Sequence, residues 1–292
     1  MHSMAMMRHL RSILCSPLGV FVLVGCQGQV PERTPLVNDV RIVTYDPSDT
    51  TLAQRFDPPT GFQRIHAPSN SFAEYLRNLQ LKSHVAMVHL FDGRMKNRQD
   101  VHAAVINMSV GAKDLQQCAD AVMRLRAEFL FAADRKDEIA FNFTSGFKAP
   151  FSRWMKGERI KVQGNACSWV PGGKAGSTHA DLLKYLEMVF SYAGTASMSK
   201  ELKDCSSSPV QPGDVFIQGG HPGHAVIVVD VASDGKGDQV FLLAQSYMPA
   251  QEIHVLKNLR DPSLSPWFKL NDGDELVTPE WTFRWDQRKR WP

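Results

Sequence analysis

Two residues of this chain have the type and setting to do chemistry together, a cysteine ahead of an apolar helix and a histidine at the start of an apolar strand. Cys118 follows Asp114-Leu115-Gln116-Gln117, which fits a capping box with Asp114 as N-cap and Gln117 reaching back. Cys118 then falls in the first helical turn, where unpaired N–H groups and the positive end of the helix dipole favour a thiolate, the nucleophilic form of sulfur. The same N–H groups, or the side chain of Gln116 or Gln117, are suited to hold an oxyanion. His224 opens the run His224-Ala225-Val226-Ile227-Val228-Val229-Asp230, a central strand by its composition, and an imidazole at its mouth is a general base. A Cys-His pair takes a third polar group that fixes the imidazole tautomer. Antiparallel pairing through the Asp234-Gly235 turn brings the end of the next strand, Ala244-Gln245, beside His224, so Gln245 fills that role, with His254 as the weaker substitute.

Other residues compete with this assignment. Leu115, Ala119, Val122 and Leu125 surround Cys118 at helical spacing, which by itself describes a core cysteine; the pairing with His224 favours the nucleophile. His221 and His224 form an H-x-x-H, but Pro222-Gly223 excludes a helix that would turn both rings to one side, and no third ligand stands out. No metal and no organic cofactor is expected. Gln163-Gly164-Asn165-Ala166-Cys167-Ser168-Trp169 faintly echoes the surroundings of the papain nucleophile, yet Pro171-Gly172-Gly173 follows where a helix must open. Cys205 lies in a serine run. Both sit in loop-like stretches where a disulfide is easily closed, and whether they pair stays open. There is no Gly-x-Ser-x-Gly elbow and no phosphate-binding glycine loop.

The positioning elements read as follows. Ser71-Phe72-Ala73-Glu74 is a capping box for a helix through Leu79, and strands are expected at 85–90 and 101–110 around an Asp92-Gly93 turn, with a basic loop from Arg94 to Gln99. The strongest helix covers 115–132, followed by a strand near 139–143. Residues 146–176 have no sustained period and read as an insertion or long surface loop, with Trp154 and Arg159 as candidates to cover or line the cleft. A helix at 178–192, stopped by Gly194, precedes strands at about 214–218, 224–231 and 239–245.

At 292 residues and 43% hydrophobic content the chain can bury a large core. Arg8 and Arg11 precede an apolar run from Ile13 to Val24 too short to span a bilayer, an export-signal pattern that ends in Leu23-Val24-Gly25-Cys26. That ending is similar to the lipobox of bacterial lipoproteins, in which the cysteine, here Cys26, carries lipid. Residues 1–26 are thus expected to be leader and lipobox, 27–60 a tether, and 61–292 the folded domain. Loss of the two leader arginines takes the net charge from +3 to +1, which leaves no nucleic-acid footprint. The cluster Arg284, Arg288, Lys289 and Arg290 is expected to solvate a tail.

Gly213-Asp214-Val215-Phe216-Ile217 followed by Gly223-His224-Ala225-Val226-Ile227-Val228 resembles the NlpC-type and CHAP-type cell-wall peptidases, whose histidine starts a strand just after a Gly-Asp-hydrophobic strand and whose cysteine starts an earlier helix. The resemblance implies a papain-like α+β core, a nucleophile helix packed on an antiparallel sheet with a long insertion between them. It makes Cys118 the nucleophile, His224 the base and Gln245 the third residue. The sequence departs from that pattern in the wide separation of Cys118 from His224 and in Gln-Gln-Cys-Ala where those enzymes have Asp-Cys-Ser or Asp-Cys-Gly. Asp114 to Arg126, Tyr192-Ala193-Gly194-Thr195, Gly213 to Asp230, Leu242 to Ala250 and Ser265-Pro266-Trp267 resemble a bacterial family defined only as a domain of unknown function. The expectation is an envelope-anchored cysteine hydrolase, membrane-bound through lipid alone and facing the periplasm, that cleaves an amide bond in peptidoglycan peptide. The alternative is a non-catalytic envelope lipoprotein that binds peptide or glycan in the same cleft.

Overall fold

The computed structural model describes residues 49–269 and 274–292; the leader, Cys26 and residues 27–48 of the expected tether lie outside them. Along the described chain run α1 (Leu52–Arg55), β1 (Gln63–Arg64), α2 (Phe72–Arg77), β2 (His102–Val105), α3 (Cys118–Ala132), β3 (Ala140–Asn142), β4 (Lys148–Pro150) and α4 (Phe151–Met155). Next come β5 (Arg159–Gln163), β6 (Ala166–Val170), α5 (His179–Tyr192), α6 (Thr195–Glu201), β7 (Lys203–Asp204), β8 (Val215–Gln218), β9 (His224–Ser233) and β10 (Gln239–Gln245). The last strands are β11 (His254–Leu256), β12 (Phe268–Lys269), β13 (Glu275–Val277), β14 (Thr282–Arg284) and β15 (Arg288–Arg290). The fold is α+β. Its main sheet has the order β2-β11-β10-β9-β8-β15-β7, with β1 added to β9 and β12 to β10, and neighbours pair antiparallel.

Strand β9 is central because both of its faces are apolar. Ala225, Ile227, Val229 and Ala232 join the core under α2, α3 and α5, while Val226, Val228 and Val231 join a second core with Phe216, Phe241 and Phe283. Strict alternation would put Asp230 on the face of Val226 and Val228. A register shift against Leu242 and Leu243 moves it to the helix side, where its fully buried carboxylate meets Arg64 Nε and Arg77 Nε, each at 2.6 Å. The bulge thus turns a charge away from the aromatic face and into an ion pair.

Several expectations are corrected. The packed domain begins before Gly61: Thr51 caps α1, Leu52 is fully buried, and Phe56 joins the core. Residues 85–90 form no strand; Val85 is exposed, and only isolated bridges at His89 and Leu90 remain. The 146–176 segment is not a structureless loop but the second strand of one hairpin, helix α4, and a second hairpin of β5 and β6. Gly194 does stop α5, yet it also opens α6, a helix the sequence pattern did not disclose. Cys167, Cys118 and Cys205 are all free thiols.

The basic C-terminal cluster does not solvate a tail. Strand β15 pairs with β8 and β7, and Arg288, with no exposed surface, donates from Nη1 to Asp214 Oδ2 at 2.6 Å. Arg290 Nε reaches Asp214 Oδ1 at 2.5 Å. The aspartate of the Gly213-Asp214 motif is therefore the counter-charge that lets an arginine strand complete the sheet. Asp214→Ala should lower stability by about 3–5 kcal/mol by leaving Arg288 buried and unpaired, seen as a lower urea midpoint; Arg284→Ala, at a solvent-exposed pair with Asp286, should leave the midpoint where it is.

Candidate functional site

Cys118 is the first residue of α3, one turn later than the capping-box reading placed the helix start. The N-cap is Gln117, whose N–H donates to Asp120 Oδ2 at 3.1 Å. Asp114 serves elsewhere, since its Oδ1 accepts from Gln117 Nε2 at 3.0 Å and from Ala250 N at 2.6 Å and so ties the approach to α3 to the segment beyond β10. The thiol is buried, and burial, with the nearby Asp120 carboxyl second, pushes its pKa up to about 11. The N–H groups of Ala119, Ala225 and Cys118 itself pull the other way and lose. The expected resting thiolate is thus corrected to a neutral thiol. Ala225 follows His224 directly, so the sulfur lies against the first residues of β9.

His224 is 1% exposed and its ring is boxed by Tyr247, Trp281 and Phe283, with centroids at 4.9, 5.3 and 5.9 Å. Its Nε2 lies 2.9 Å from Gln245 Oε1. The orientation of that amide is fixed by its other end, because Gln245 Nε2 donates to Glu280 Oε2 at 2.6 Å and Glu280 Oε1 accepts from Lys96 Nζ at 2.7 Å. An amide oxygen only accepts, so Nε2 of His224 carries the hydrogen and Nδ1 is left with its lone pair. Burial, against the hydrogen bond to Gln245, lowers the His224 pKa to about 4. His254 stands behind this chain: its Nδ1 faces the Glu252 carbonyl at 2.9 Å and its Nε2 lies 3.5 Å from Gln245 Nε2, so it supports the amide rather than replacing it.

Cys118 and His224 line one cavity of about 260 Å³, with Gln117, Asp120, Thr195, Tyr247 and Trp281 among its walls. The glycines before His224 admit helix α6: a Cβ on Gly223 would sit 2.4 Å from Thr195 Oγ1, and one on Gly219 would sit 2.2 Å from Ser199 Oγ. Three expected contributors are elsewhere. Gln116 is buried with Oε1 accepting from Arg124 Nη1 at 3.1 Å, and borders a separate hollow beside Leu183 and Leu186. Trp154 packs on Tyr185 and borders another cavity, of about 440 Å³, with Lys184 and Glu187. Arg159 stacks on Trp154 at 4.1 Å and donates to the Lys174 carbonyl at 2.8 Å. These two brace the β5–β6 hairpin instead of covering the cleft, because that segment folds on itself. His221 lines the cleft, and no metal-binding cluster of His, Cys, Asp or Glu occurs among the described residues.

A family model described as Domain of unknown function (4846) matches residues 52–290. The chain belongs to that family. No curated protein and no solved structure matches it. The family match spans both arms of the site, from α3 to Glu280, and its start at residue 52 coincides with the buried Leu52 rather than with Gly61.

Sequence reasoning missed Glu280, Lys96, Tyr247, Trp281 and Asp120. Glu280 lies 35 residues from Gln245 in a proline-broken stretch, and no local pattern points from one to the other. Asp120 was the one within reach, as a carboxylate two residues into the helix beside the cysteine. Carboxamidomethylation of Cys118, followed by peptide mass in a Cys167→Ser background, should accelerate with pH toward a midpoint near 11; a rate that levels off near neutrality would mean the sulfur is not desolvated as described.

Proposed function

We propose that this protein is a papain-like cysteine hydrolase that cleaves an amide bond in peptidoglycan peptide, and that it is held at the bacterial envelope by lipid on Cys26. The observation that carries the reading is the Glu280–Gln245–His224 chain, which leaves Nδ1 unprotonated on a histidine that lines the same cavity as a cysteine at a helix N-terminus. A helix opening on its cysteine and packed on the histidine strand of an antiparallel sheet is also the arrangement expected of an NlpC-like core. Among the described residues no helix is long and apolar enough to cross a membrane; in this reading the anchor is the lipid on Cys26.

In the reaction, the Cys118 proton passes to His224 Nδ1 as the sulfur attacks the carbonyl carbon. The oxyanion is held by first-turn N–H groups of α3, which lack intrahelical partners. Collapse expels the amine, which takes the proton from His224, and leaves a thioester. Water, deprotonated by the same nitrogen, then releases the acid and restores the thiol. With the free thiol near 11 and the imidazole near 4, the ion pair is not stored before substrate binds and forms only as the substrate carbonyl takes up charge.

That neutral resting pair also favours the second reading, a binding cleft without turnover. Muropeptide cleavage followed by mass should separate them: Cys118→Ala and His224→Ala abolish it with circular dichroism unchanged, and Gln245→Ala lowers kcat by about 10²–10⁴ through a misdirected tautomer. Cleavage retained in Cys118→Ala removes the hydrolase. Cys26→Ser should release the protein from the membrane fraction.

A further inference from the structure

The cleft that holds Cys118 and His224 has a charge character unlike the chain as a whole. Its lining includes two aspartates, Asp114 and Asp120, and two histidines, but no lysine or arginine, in a protein whose net charge is +3. Asp114 is at the rim and its Oδ1 already accepts two hydrogen bonds. Asp120 is different. It is 6% exposed, its Oδ2 takes the Gln117 N–H, and its Oδ1 is buried with no hydrogen-bond partner. A buried carboxyl oxygen without a hydrogen-bond partner is costly, and beside a cleft a ligand that completes it is one account of it. Nothing in catalysis by Cys118 asks for it; a carboxylate beside the sulfur opposes thiolate formation.

We propose that Asp120 is the specificity-determining residue of this cleft and that its free oxygen takes a primary ammonium group of the substrate, close to the carbonyl that Cys118 attacks. The chemistry fits in three respects. The carboxyl now keeps its proton up to about pH 8 because burial supplies no counter-charge, and an ammonium at Oδ1 supplies one and releases that proton. The bound pair is neutral overall, as the protonated carboxyl was, so taking the cation there places no net charge beside the sulfur. Tyr247 and Trp281 also line the cavity, and aromatic walls suit a cation better than an anion. As a substrate preference this rests on the hydrolase reading for its reaction; the ammonium pocket does not need turnover.

The test therefore reads binding through the sulfur itself. Methanethiosulfonates of matched size, one carrying an aminoethyl and one a sulfonatoethyl group, are reacted with the full folded domain near neutral pH, and Cys118 labelling is normalised to Cys167 in the same molecule. The aminoethyl reagent should label Cys118 at least about tenfold faster than the sulfonatoethyl reagent, and Asp120→Asn, which keeps the acceptor for the Gln117 N–H, should bring the ratio near one. Any change in thiol acidity caused by the substitution cancels in that ratio. A ratio unchanged in Asp120→Asn, or an anionic preference in the wild type, overturns the proposal, as does failure of both reagents to reach Cys118. On amide substrates, acetylation of the amine should cost the wild type, but not Asp120→Asn, a comparable factor in kcat/KM. Absence of all cleavage with the labelling ratio intact would remove the hydrolase and leave the ammonium site standing.

Discussion

The orientation of one side-chain amide governs the candidate site. Gln245 lies at the end of β10 between an imidazole and a carboxylate, and only one of its two flips satisfies both, with oxygen toward His224 and nitrogen toward Glu280. The reversed amide would set its oxygen against the Glu280 carboxylate, a repulsion in a region shielded from water, and would select the other imidazole tautomer. Lys96 fixes Glu280, which fixes Gln245, which fixes the His224 tautomer. The cation at the far end is itself buried, at 7% exposure, so it is held by Glu280 as firmly as it holds it. The tautomer of His224 thus depends on a lysine in a loop that touches neither the sulfur nor the imidazole.

Burial is the opposing constraint. It makes the relay directional, and it also drives Cys118, Asp120, His224 and His254 toward their neutral forms. His224 and His254 are held to about 4 and about 3, so the unfolded chain binds protons below about 6.5 that the folded protein refuses. Their contribution to stability is whole above that value and falls as pH drops through it. Asp120 works with the other sign: raised to about 8, it keeps a proton that the unfolded chain gives up above about 3.9, so its burden grows as pH rises and levels off past 8. Below about 6.5 the two histidines outweigh the one carboxyl, and above it only the carboxyl acts, so the summed contribution of these groups peaks near pH 6.5. At that pH the imidazole can also accept a proton from a thiol.

How far this was legible in the sequence follows from the distance over which each signal acts. Strand β9 and its neighbours were readable because apolar composition and the Asp234-Gly235 turn are local, and the pairing of Gln245 with His224 followed from a single hairpin. Cys118 at a helix start was readable for the same reason, although the cap is Gln117 and not Asp114, since Asp114 is drawn off by the Ala250 N–H from 136 residues away. What failed were properties set by tertiary burial. The helix dipole at Cys118 promised a thiolate, and the packing of β9 against α3 overrode it. The charged C-terminus looked solvated, and Asp214 buried it. Trp154 and Arg159 looked like cleft residues because the 146–176 segment lacked periodicity, yet two short hairpins need only a few paired residues each to fold and leave little period to detect.

The two buried aspartates of the central sheet explain how so apolar a strand can end in a polar site. Asp214 secures β15 against β8, and Asp230 secures α2 and β1 against β9 from the helix side. Both are paired with arginines that come from elements remote in the chain, so the strands around His224 are held at their far edges by ion pairs that have no part in the cleft. The near end of β9 is left free of such pairs, and there the glycines at 219 and 223 draw α6 in to close the wall. Asp120 is the exception that this division of labour isolates: a third buried aspartate, in the first turn of α3 beside the cleft, with no arginine bound to it. A fold that pairs two such groups fully and leaves the third unpaired beside the cleft fits a position that meets a charge the chain does not itself provide.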